Sequence, residues 1–188
     1  MTTLVHHLYK SGEIAVIPTD TVYGVVARAA DEAAVSRLYT LKHREAKPGT
    51  IIAASIDQLT LLGVKRRYLT AVQQFWPGAM SVIIPCGPEL KYLHQGVGSL
   101  AFRIPDDPKV LELLNQTGPL LTSSANQPGE PPAISIEQAK HYFGDQVSWY
   151  EDGGVIQNEP STIIQIIDDS IEVIRLGAVK IDESGRRL

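Results

Sequence analysis

Leu4, Val5, Leu8 and Tyr9 recur at the spacing of one helical face, and Gly12 marks the end of that run. Glu13-Ile14-Ala15-Val16-Ile17 follows as a continuous apolar strand that Pro18 closes. Asp31 is the expected N-cap of a second helix whose Ala34, Leu38 and Leu41 turn inward. That phasing puts Lys42 and Arg44 in its last turn or just beyond, where cations suit the helix dipole. Further strands are predicted at Ile51–Ala54, Met80–Pro85, Leu100–Ile104, Leu120–Ser123, Ile163–Ile167 and Glu172–Leu176. Helices are predicted at Ile56–Leu62, Tyr68–Trp76, Lys109–Asn115 and Ile136–Tyr142, the last opened by a Ser135/Gln138 capping box. Strands and helices interleave, yet some strands follow one another directly. The pattern therefore predicts an α/β protein with a mixed parallel and antiparallel sheet carrying packed helices.

With 188 residues, 44% hydrophobic and 20% charged, the chain suits one domain over 1–188, with residues 178–188 as a mobile tail. A net charge of -4 argues against a protein that coats nucleic acid, so any RNA contact should be local and weak. No basic segment followed by an apolar core opens the chain, and no run reaches membrane-spanning length, so a cytoplasmic protein is expected. Cys86 is the only cysteine, which excludes an internal disulfide or a multi-cysteine metal site and leaves it as a small hydrophobe. The five histidines are scattered, so no protein-held metal is expected.

Gly96-Val97-Gly98-Ser99-Leu100-Ala101 matches a dinucleotide-binding fingerprint in letters only. That motif needs a helix after it, and Leu100–Ile104 reads as a strand. The chemistry-bearing residues lie elsewhere. Pro18-Thr19-Asp20-Thr21-Val22-Tyr23-Gly24, Leu41-Lys42-His43-Arg44, Thr122-Ser123-Ser124-Ala125-Asn126, Pro160-Ser161-Thr162-Ile163 and Arg175-Leu176-Gly177 each adjoin a predicted strand or helix. A rigid scaffold can aim such hydroxyls, amides and cations into one cleft. Read singly, they are a Pro/Gly turn, a solvated helix end and an Asx-type turn. Together they suit an anionic, hydroxyl-bearing ligand. Arg103, between Phe102 and Ile104, would be costly if buried unpaired, and such a ligand would offset that cost.

Taken in order, these segments resemble the YrdC/TsaC family of single-domain threonylcarbamoyl-AMP synthases. Trp76-Pro77-Gly78-Ala79, Arg103-Ile104-Pro105, the K-x-R signature at Lys42/Arg44 and the S-x-N signature at Ser124/Asn126 carry the likeness. It covers most of the chain and matches the short form. The resemblance implies a twisted mixed sheet around a deep, positively lined cavity. It also implies formation of L-threonylcarbamoyladenylate and pyrophosphate from L-threonine, bicarbonate or CO2, and ATP with its Mg2+. The product would serve N6-threonylcarbamoyladenosine at position 37 of tRNA, with separate proteins performing the transfer.

By the same likeness Thr21, Arg103, Thr122 and Ser161 hold threonine. Lys42, Arg44, Ser99, Ser124, Asn126 and Arg175 hold the nucleotide, with Lys42 and Arg44 neutralising charge as the catalytic pair. Some relatives carry a histidine on the strand after K-x-R, and Ile51-Ile52-Ala53-Ala54 has none. Two other readings are a paralogue acting on another small substrate and a non-catalytic RNA-binding module. Lys65-Arg66-Arg67 favours the latter, while net charge and 6% aromatic content oppose it.

Overall fold

The structure, a computed structural model, describes residues 3–167 and 170–182. Nine strands form one sheet among the described residues: β1 Ile14–Ile17, β2 Gly24–Arg28, β3 Thr50–Ile52, β4 Met80–Pro85, β5 Ser99–Arg103, β6 Leu120–Ser124, β7 Trp149–Tyr150, β8 Thr162–Ile167 and β9 Ser170–Arg175. Their spatial order is β7-β1-β2-β6-β3-β5-β4-β8-β9. The sheet is mixed, as the pattern predicts: β1/β7, β3/β5 and β4/β8 pair in parallel, and the remaining neighbours are antiparallel.

The helices are α1 Thr3–Leu8, α2 Glu32–Leu41, α3 Ile56–Leu62, α4 Arg66–Val72, α5 Lys91–His94, α6 Pro108–Thr117 and α7 Ile136–Phe143. Asp31, Ser55, Asp107 and Ser135 cap four of them, each side chain accepting a first-turn N–H. The apolar run predicted to carry one helix to Trp76 instead leaves α4 at Val72, and a single 3-10 turn covers Gln73–Phe75 before Trp76 and Pro77. A residue before proline is pushed out of the helical region, and Trp76 is accordingly extended. Three elements are absent from the sequence reading. β2 is buried on both faces and shows no alternation, while β7 and α5 are too short to carry a period.

The two sheet faces are covered unequally. Ile14, Val16, Val25, Leu121, Ile51, Phe102, Val82 and Ile164 point to one face and form the main core with residues of α2, α3, α4, α5 and α7. Ala15, Ile17, Val26, Leu120 and Ile52 point to the other, where, among the described residues, α1 and α6 alone supply helical cover through Leu4, Leu8, Val110 and Leu114. Two helices cannot roof nine strands. The uncovered part of that second face becomes a cavity.

Residues 178–182, expected to be part of a free arm, pack against the body. Ala178 donates its N–H to Pro160 O at 2.9 Å, Thr162 Oγ1 donates to Val179 O at 2.5 Å, and Val179 and Ile181 are partly buried. The rest of that expectation, 183–188, lies outside the described residues.

Candidate active site

Because strand side chains alternate, the register decides which residues face the cavity. Thr122 lies opposite Thr50, Thr50 opposite Ala101, and Ala101 opposite Ile83, so four neighbouring strands present one row across the cavity floor. Ser99 and Arg103 flank Ala101 on the same face of β5. The cavity has a volume of about 290 Å³. Of the ten residues singled out from the sequence, Thr21, Arg44, Ser99, Arg103, Thr122, Ser124, Ser161 and Arg175 line it. Lys42 and Asn126 do not.

Lys42 is buried and spends its ammonium on the loop behind the wall. Its Nζ donates to Ser124 O at 2.8 Å, to Asn126 Oδ1 at 3.2 Å and to Asn126 O. Ser124 Oγ donates to Asn126 Oδ1 at 2.7 Å, and Asn126 Nδ2 donates to Gln127 O and Glu130 O. The K-x-R lysine and the S-x-N pair are thus one hydrogen-bonded unit that fixes the end of β6. Burial pushes the Lys42 amine down to about 8, with the Arg44 charge adding to the effect.

Arg103 is 3% exposed and does not wait for a ligand to balance it. Asp20 Oδ1 accepts from its Nη1 at 2.6 Å, and the Thr21 hydroxyl lies 3.3 Å from the same nitrogen. The expectation that an anionic ligand offsets this charge is therefore corrected: the chain supplies the counterion itself. Burial pulls Arg103 down and pushes the Asp20 carboxyl up, with the arginine charge opposing the latter. Asp20 Oδ2 and Arg103 Nε have no hydrogen-bond partner, so the pair is imperfectly satisfied. Asp20 lies in the polar Pro18–Gly24 segment, yet no local signal in the sequence marks it as the partner of Arg103.

Arg175 closes the far side. Its Nη2 donates to Ser161 O at 2.7 Å, and Ser161 Oγ lies 3.0 Å from Ser81 Oγ. Burial lowers Arg175, and the charges of Arg44 and Arg103 lower it further, so the three guanidinium groups form one positive field. Glycines allow the close approaches. A Cβ on Gly24 would stand 2.6 Å from Thr122 Oγ1, and one on Gly49 2.6 Å from Thr122 O. Thr50, Gly49 and Ser81 carry no signal in the sequence either: Thr50 and Gly49 reach the cavity through the pairing of β3 with β6, and Ser81 meets the site only by its bond to Ser161.

Gly96–Ala101 runs into β5 rather than a helix, so the dinucleotide pattern is accidental. Lys65, Arg66 and Arg67 are exposed, and Arg66 pairs with Asp57 at 2.7 Å. Burial raises the Cys86 thiol to about 12, which keeps it protonated and unreactive at neutral pH.

The arrangement defines an α/β protein whose cavity presents three guanidinium groups and many hydroxyls, a receptor for an anionic, hydroxyl-bearing ligand. The chain belongs to the Sua5/YciO/YrdC family, whose model, described as telomere recombination, matches residues 7–177. It is 35% identical over 159 residues to a threonylcarbamoyl-AMP synthase of Chromohalobacter salexigens, covering 82% of this chain and 86% of that one. It is 32% identical over 179 residues to the threonylcarbamoyl-AMP synthase of Bacillus subtilis, covering 92% of this chain and 52% of that one. The crystal structure of P. abyssi Sua5 complexed with L-threonine superposes with a TM-score of 0.83 at 27% identity, over 95% of this chain and 54% of that chain. This chain thus spans about half the length of the last two relatives.

Proposed function

We propose that the protein is a threonylcarbamoyl-AMP synthase, a nucleotidyltransferase joining L-threonine, bicarbonate or CO2, and ATP into L-threonylcarbamoyladenylate and pyrophosphate. The observation that carries this reading is the meeting of Arg44, Arg103 and Arg175 with the hydroxyls of Thr21, Thr122, Ser99, Ser124 and Ser161 around one cavity that no carboxylate among the described residues lines. Relatives named for this activity and a threonine-bound Sua5 support the choice among anionic ligands.

In this reading the amine of threonine adds to CO2 and loses a proton, giving a carbamate. A carbamate oxygen attacks the α-phosphorus of ATP and the bond to pyrophosphate breaks. Both partners are anions, so the rate depends on holding them together and on neutralising charge that builds in transit. Arg103, backed by Asp20, faces the threonine carboxylate beside Thr21, Thr122 and Ser161. Arg44, Arg175, Ser99 and Ser124 face the nucleotide. Lys42 and Asn126 act through the loop they tie, which presents Ser124. Mg2+ arrives on the ATP phosphates; hydroxyls and guanidinium groups suit phosphate oxygens, whereas a protein-held Mg2+ calls for carboxylates.

The product is chemically poised for transfer to tRNA adenosine by separate proteins, with only weak, salt-sensitive RNA contact by this chain. We further take residues 1–188 as one domain, since a single sheet runs from β7 to β9. No helix among the described residues is long and apolar enough to cross a membrane, and a lone thiol suits the reducing cytoplasm. The decisive experiment incubates the protein with ATP, Mg2+, threonine and bicarbonate and follows pyrophosphate together with the adenylate by mass spectrometry. Pyrophosphate release should require threonine and bicarbonate together; equal release without threonine rejects the reading.

A further inference from the structure

The segment that carries Arg44, between the end of α2 and the start of β3, is held in a conformation its own residues disfavour. His43 and Ala46 lie in the left-handed region with φ of 47° and 50°, and neither is glycine. Such strain persists where the surroundings over-determine it, and it concentrates at sites that need a preset geometry. Within the segment, Arg44 Nη1 folds back toward Lys47 O at 3.3 Å and Pro48 O at 3.4 Å.

Across from it stands a turn with no role in the reading above. Gln95 Nε2 donates to Arg44 O at 3.1 Å, and its Oε1 accepts the Lys47 N–H at 3.2 Å. One side-chain amide thereby closes a ring over both ends of the strained span. Gln95 is itself fixed at φ 52°, its N–H bonded to Lys91 O at 2.8 Å. The neighbouring His94 is buried, and its Nδ1 accepts the N–H groups of Gly96 and Gly98 at 3.1 Å each. Those two donors assign the ring proton to Nε2, which faces Gly87 O at 3.2 Å. Gly96 and Gly98 have φ of 87° and 80°, and Val97 and Ser99 emerge from the turn as cavity wall.

We propose that Gln95, carried by the turn built around His94, is a positioning residue that sets Arg44 and holds it in register with the Val97–Ser99 wall. This deepens the nucleotide-side reading and rests on it. Gln95 lies outside the cavity wall; its effect passes through the Arg44 backbone, and a guanidinium displaced by a fraction of its reach grips the ATP phosphates less tightly.

The test compares Gln95→Ala, Gln95→Glu and Arg44→Ala singly and in combination, with melting temperature, KM for each substrate and amide exchange at Lys47 as readouts. Gln95→Glu keeps an acceptor for Lys47 but sets a carboxylate oxygen against Arg44 O, so it should behave like Gln95→Ala. Expected are a KM for ATP raised roughly tenfold or more, an unchanged KM for threonine, and little change in melting temperature. Lys47 amide exchange should be slow in the wild type and faster in Gln95→Ala. Gln95→Ala should add nothing once Arg44 is already alanine, because it acts through that residue. An impaired Arg44→Ala beside an unimpaired Gln95→Ala, additive losses, or an unprotected Lys47 amide in the wild type overturns the inference and leaves the nucleotide-side reading standing. An unimpaired Arg44→Ala overturns both.

Discussion

Asp20 Oδ1 lies 2.6 Å from Arg103 Nη1, and the two side chains are 6% and 4% exposed. Taking both charges out of water is expensive, and the unpartnered Asp20 Oδ2 and Arg103 Nε show that the cost is not fully recovered. The pair is better understood as a device that aims Arg103 into the cavity than as a source of stability. Asp20→Ala leaves the arginine buried without its counterion and should destabilise the fold by about 3–5 kcal/mol. The double change Asp20→Ala with Arg103→Met should recover much of that loss without recovering threonine turnover. Urea unfolding and steady-state kinetics on the three proteins separate the two effects.

Lys42 gives a pH signature. Its folded value of about 8 lies below the ordinary 10.5, so between those values the unfolded chain holds a proton that the folded chain has released. Its contribution to stability therefore rises from about pH 8 toward 10.5 and is lost as pH falls through about 8. Unfolding free energy measured across that window should slope upward more steeply in the wild type than in Lys42→Met. Turnover should decline on the alkaline side with a midpoint near 8, as the ammonium that ties Ser124 and Asn126 loses its charge and one donor. Lys42→Arg should lack that decline.

Gly177 has no room for a side chain. A Cβ there would be driven into Pro160 O and would lie 2.8 Å from both Ser161 C and Ser161 O, all backbone atoms that cannot swing aside. Gly177→Ala should therefore part the Pro160–Thr162 segment from the end of β9 and shift Ser161 with it. The expected cost is about 1–3 kcal/mol, together with a raised KM for threonine, read by thermal melting and kinetics.

The cavity-lining hydroxyls of Thr21, Thr122 and Ser161 set the expected order of amino-acid substrates. Serine loses a methyl contact, a discrimination of roughly 10–200-fold in kcat/KM, whereas valine leaves buried polar groups unpaired and should fare far worse. Competition among threonine, serine and valine at fixed ATP measures this. Valine used as well as serine would remove these three residues from contact with the substrate hydroxyl.

Much of the outline was legible in order along the chain. Local signals are local in cause: Asp31 and Ser135 cap because their oxygens reach N–H groups three residues on, and the apolar phase of α2 follows from helical geometry. The polar segments at Pro18–Gly24, Lys42–Arg44, Thr122–Asn126, Ser161 and Arg175 stand out for the same reason, as hydroxyls and cations that a core does not need. Tertiary structure alone decided what each does. Pairing register, set by contacts up to dozens of residues apart, placed Thr50 between Thr122 and Ala101, and the fold left Lys42 behind the wall rather than in it. The Asp20–Arg103 pair spans 83 positions and the Gln95–Arg44 contact 51. No periodicity or motif encodes such a meeting, because it depends on how the sheet as a whole stacks its strands.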